Sequence, residues 1–95
     1  MRHTSLLLAA AIVVAVLFAP APSFADRVAA DKCATGLSAE SKLIYAASIV
    51  AVAPGADLKD IVRAKTRSLV IAGKVDRGGA QAAAQAAGAC LLKAM

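Results

Sequence analysis

The chain has 95 residues, 11 basic against 6 acidic side chains, and a formal net charge of +5; 60% of its residues are hydrophobic and 3% aromatic. One domain is the limit at this length, which excludes a multidomain enzyme and a polytopic membrane protein. So apolar a composition also excludes a disordered acidic tail.

Residues 1–25 read as a secretory signal peptide. Arg2 and His3 precede an uncharged run from Leu6 to Ala19, Pro20 and Pro22 break it, and Ser23 and Ala25 supply the small residues of a cleavage site. Cleavage is expected after Ala25, because a cut after Ala21 would leave Pro22 as the first residue. No cysteine stands at the expected cleavage site to carry a lipid anchor, and the run's 14 residues fall short of the roughly 20 needed to span a bilayer as a helix. The expected mature domain is residues 26–95, periplasmic or secreted, with no stable membrane span. It keeps ten basic and six acidic residues, a net +4, and loses the only histidine, His3. Tyr45 is its sole aromatic residue.

These losses bound the chemistry. Without histidine there is no Ser-His-Asp or Cys-His constellation, and the commonest metal ligand is absent. One aromatic ring makes no stacking platform for nucleic acid. The expectation is a protein with no catalytic activity, metal or cofactor. Its basic character is read as solubility or as attraction to anionic surfaces and acidic partners.

The mature segment reads as helices joined by short connectors. A short helix is expected over Asp26–Thr35, ended by Gly36. A second starts at Ser38, whose side chain suits an N-cap, with Glu40 in the first turn and Leu37 placed to staple the entry. It is expected to run to about Ala53, where Pro54-Gly55 stops it. Leu43–Ala53 carries no charge and is apolar on every side. A third, cationic amphipathic helix begins at Asp57, with Asp60 in its first turn, and ends at Gly73. Leu58, Ile61, Val62, Leu69 and Ala72 form its apolar face; Lys59, Arg63 and Arg67 step by four along another. The fourth is alanine-rich, with Asp76 its best N-cap, and Gly78 and Gly79 either in its first turn or lengthening the loop. Its small residues recur by four, as Gly79, Ala83 and Ala87 and as Ala84 and Gly88, and are read as permitting close helix approach. No strand alternation appears, so the expected fold is all-α: a small three- to four-helix antiparallel bundle.

Cys33 and Cys90 are the most specific feature. Two cysteines in a short exported chain read as one disulfide, here tying the first helix to the last. The competing readings are an interchain bridge and a reactive or metal-bound thiol; the spacing lacks the C-x-x-C of thioredoxin-type redox proteins. In layout alone, signal peptide followed by an all-helical domain with one long-range disulfide, the chain resembles the periplasmic acid-stress chaperones. It departs from them around its first cysteine, Lys32-Cys33-Ala34, where their aromatic and acidic residues are missing, and no residue role is carried over.

Asp57 and Asp60 are read as helix-start residues rather than a cation or acid–base site. Lys59, Arg63 and Arg67, with Lys65 and Lys74, form the densest basic cluster, and Lys74 and Arg77 lie next to Gly78 and Gly79 at a helix start, where an anion could bind. The apolar second helix is more than a domain this small can easily enclose. The resulting expectation is a small exported cell-envelope binding or interaction protein. It would dock through an apolar strip at Ile44, Ile49 and Val52, with added attraction from Lys59, Arg63 and Arg67. The candidate partners are an envelope protein, an anionic surface or a second copy of the chain; nucleic acid is not among them. The alternative is a carrier of small hydrophobic molecules, lipid or acyl, held within the bundle.

Overall fold

The computed structural model describes residues 24–95. Residues 1–23, which hold most of the expected signal peptide, lie outside the described residues. The described chain is all-helical: α1 (Phe24–Ala34), α2 (Ala39–Ile49), α3 (Leu58–Ile71) and α4 (Ala80–Leu91), closed by a 3₁₀ turn at Leu92–Ala94. No described helix is long and apolar enough to cross a membrane.

Helix boundaries follow from local chemistry. Ser38 caps α2 by accepting from the Ser41 N–H at 3.2 Å, and Asp57 caps α3 by accepting from the Asp60 N–H at 3.2 Å. Both hydroxyl and carboxylate satisfy amides that have no intrahelical acceptor. α3 ends at Gly73, whose φ of +74° is open to glycine at little cost. There Gly73 N–H donates to Val70 O and Lys74 N–H to Leu69 O, the paired bonds of a Schellman cap.

α1 starts at Phe24, two residues ahead of the expected Asp26, and ends at Ala34, one short of Thr35; two further boundaries differ more. α2 stops at Ile49 rather than near Ala53. Its last turn tightens into three-residue bonds, Ala51 N–H to Ser48 O and Val52 N–H to Ile49 O, and Pro54 holds Ala53 out of the helical region. Pro54 and Gly55 (φ +82°) then form a type II turn closed by Ala56 N–H on Ala53 O. At the other end of the domain, Asp76 does not cap α4. Gly79 occupies that position without a side-chain bond, and Gly78 and Gly79 extend the loop. The Asp76 N–H is instead taken by the Glu40 carboxylate of α2, which pins the α3–α4 connection.

α2, α3 and α4 pack mutually, while α1 lies against α4 and the terminal 3₁₀ turn. The core is built mainly of small residues, among them Ala30, Ala34, Ala83, Ala87 and Ala94, around Ile44, Tyr45, Ile49, Val62, Val75 and Leu91. Such residues bring backbones close: the buried Ser41 hydroxyl of α2 donates directly to the Ala83 carbonyl of α4 at 3.0 Å. Tyr45 reaches from α2 to α1, donating to Asp31 Oδ1 at 2.7 Å. Cys33 and Cys90 form a disulfide with 5.4 Å between Cα atoms, linking α1 to α4 across 57 residues of sequence. This is the intramolecular pairing of the sequence reading.

Two predictions follow from these contacts. Closing a loop of this length is worth about 4 kcal/mol in the chain-entropy model. A Cys33→Ser/Cys90→Ser variant should therefore lose about 4 kcal/mol in urea denaturation and melt on the order of 20 °C lower; a change under about 1 kcal/mol would refute the assignment. Burial, then the hydrogen bond to Asp31 and its negative charge, push the Tyr45 phenol up to about 12, partly opposed by Arg27. Tyr45 is the only tyrosine, so alkaline absorbance titration should show a single midpoint near 12, lowered by Asp31→Asn. The stability this contributes is fully present below the unfolded value of about 10 and is lost as pH rises through about 12.

Candidate functional site

The expected docking strip on α2 is not a surface. Ile44 is fully enclosed and Ile49 is 7% exposed; both belong to the core, and Val52 is half-buried against it. The reason is geometric. α2 packs against α3 and α4 together, so Ser41, Ile44, Tyr45, Ser48 and Ile49 turn inward as one face at helical spacing. The large apolar side chains that α2 leaves in solvent are Leu43 and Val50, on its other side.

The cationic residues fall elsewhere, and together. Lys59, Arg63 and Arg67 are exposed along α3 and border a groove of about 1030 Å³ between α3 and α4, with Arg77 at one end. Its floor is apolar, lined by Leu58, Val62 and Val70 from α3 and by Ala80 and Ala84 from α4. Ile71 and Leu92, 78% and 63% exposed, extend the apolar surface. Gln81 and Gln85 line the α4 side. None of the six acidic residues lines it, and among the described residues none lies within ion-pairing distance of the four cations, Asp60 beside Arg63 included. The ion pair that does form, Arg27 with Asp31 at 3.6 Å, is on α1. Of the other basic residues singled out, Lys65 is half-buried on another side of α3, and Lys74 is exposed but does not line the groove.

The two rows of small residues on α4 have different roles. Ala83 and Ala87 face inward and pack in the core. Ala80, Ala84 and Gly88, one position further round at each turn, are half-buried along the groove. Gly88 stands in mid-helix, and a Cβ built on it meets nothing within 4 Å. Internal packing therefore does not require glycine there. At the floor, the Thr66 hydroxyl is buried and makes no hydrogen bond among the described residues. Each of these choices sacrifices stability along one surface.

The groove's α4 wall was not singled out for binding from the sequence, and Arg77 was singled out only as an anion site beside Gly78 and Gly79, not as part of the α3 cationic row. The repeat of Ala84 and Gly88 was visible, but its sense, packing inside or lining outside, depends on which neighbour α4 faces. Among the described residues no group of three or more His, Cys, Asp or Glu is placed to hold a metal ion.

If Gly88 is kept open for the groove rather than for the fold, Gly88→Ala should stabilise the protein by about 0.5–1 kcal/mol through helix propensity. Urea denaturation measures this, and a destabilised variant would show an unseen packing role. No protein-family model, curated protein or solved structure matches the chain.

Proposed function

We propose that the protein is a small exported cell-envelope binding protein, periplasmic or secreted, that acts by docking rather than by catalysis. Its contact surface is the α3–α4 groove, in place of the α2 strip. The observation that carries this reading is the coincidence of an apolar floor with four cations, Lys59, Arg63, Arg67 and Arg77, and no acid on its lining. An apolar cleft with charge of one sign both holds and orients a complementary partner. The absence of histidine from the described residues and the commitment of both cysteines to the disulfide support a non-catalytic role. The alternative, a carrier of a small acyl molecule, is favoured by the apolar floor and would use the same groove.

Photo-crosslinking in the producing cell tests the reading. A photoreactive residue replacing Gln85, on the groove, should give a discrete adduct. One replacing Lys42, exposed on α2, should not, and filling the groove with Gly88→Leu should abolish the Gln85 adduct. Equal adducts from both positions, or none from Gln85, would overturn it.

A further inference from the structure

We propose that the occupant of the groove is an amphipathic helix of a partner protein, apolar along one stripe and acidic beside it. This rests on the groove being the contact surface. Three features of the groove select a helix of that chemistry.

The first is the position of the groove in the bundle. α3 and α4 form its two walls with helix faces repeating every three or four residues, from Leu58 to Ile71 and from Ala80 to Leu92. α2 packs against both helices, and α1 lies against α4 and its terminal turn and contributes no residue to the groove. Two adjacent helices that expose a shared apolar furrow present the surface on which a further helix packs in a four-helix bundle.

The second is the α4 wall. Ala80, Ala84 and Gly88 make it smooth over more than two turns, and open space lies where the Gly88 Cβ would be. Small residues four apart let a second helix backbone approach closely.

The third is the distribution of charge. Lys59, Arg63 and Arg67 are spaced one turn apart, so the row is about 12 Å long, and Arg77 adds a fourth cation. An acyl chain carries its charge at one end and would leave most of this row unmatched. A helix with Asp or Glu four apart matches it turn for turn. The same row argues against a second copy seated groove to groove, since that would oppose like charges. It also argues against the chain's own Leu6–Ala19 run, which carries no acid and follows Arg2.

The test uses oxidised protein expressed from the full-length sequence and three probes. One is a synthetic 18-residue amphipathic peptide with a Leu/Ala stripe flanked by glutamates four apart. The second is the same peptide with lysine for glutamate. The third is palmitate, alongside phosphatidylglycerol vesicles. Calorimetry gives affinity, and amide chemical shifts locate the contact. The acidic peptide should shift Val62, Val70, Ala84 and Gly88 and bind about tenfold or more tighter than the lysine peptide. Lys59→Glu/Arg63→Glu/Arg67→Glu, which leaves Arg77 as the one cation on the groove lining, should reverse that preference, a gain for the lysine peptide that a misfolded variant could not show. Equal binding of the two peptides would overturn the proposal, as would failure of the reversal. Palmitate or vesicles shifting the groove when the acidic peptide does not would also overturn it, while leaving the groove as the contact surface. Silence of the groove towards every probe would overturn both readings.

Discussion

The Cys33–Cys90 bridge holds the ends of this domain together. α1 has few large side chains to bury; its inward residues are Ala30 and Ala34, while Val28 stays largely exposed. Hydrophobic burial grows with apolar area, so alanines anchor a short helix weakly. The covalent link on α4 and the Tyr45–Asp31 hydrogen bond supply the attachment that packing does not. In a domain of this size a core alone contributes only about 3–5 kcal/mol, so the bridge matters to the whole bundle.

The small-residue core has a second consequence. Alanine and serine at the α2–α4 contact bring these helices close enough for the Ser41 hydroxyl to reach the Ala83 carbonyl. That closeness turns Ile44 and Ile49 inward, and leaves the large residues of α3 and the small residues of α4 facing each other across an open furrow. Ser48 and Thr66 retain buried hydroxyls without hydrogen-bond partners among the described residues, each a cost that an alanine or valine would avoid. Stability is thus not maximal at Thr66 and Gly88, both of which line the groove.

The charge distribution is as uneven as the packing. Glu40 holds the α3–α4 loop, Asp57 caps α3 and Asp31 serves Tyr45 and Arg27. These acids are occupied on the scaffold, away from the groove. Among the described residues, Lys59, Arg63, Arg67 and Arg77 have no such partners, and they are exposed beside an apolar floor. A positive field next to unburied apolar surface favours association with an acidic, amphipathic body.

Residue order alone was enough for the helices and most of their ends. These depend on short-range chemistry: Ser38 and Asp57 as caps, Gly73 in the left-handed region and the Pro54-Gly55 turn. Residue order also favoured a Cys33–Cys90 bridge over an interchain one, and the fold made the choice by setting the two Cα atoms 5.4 Å apart. Local rules were insufficient at Asp76: the turn over Arg77–Gly79 delays the helix to Ala80, which puts Gly79 at the cap position, and Glu40, distant in sequence, fixes the Asp76 amide at the start of that turn. They were also insufficient for the site. An apolar helix and a repeat of small residues are each compatible with an inward or an outward face. Only tertiary packing decided that Ile44 and Ile49 are core and that Ala84 and Gly88 line a groove. Burial is a property of neighbours, and neighbours in a helical bundle are set by crossing geometry that no single helix encodes.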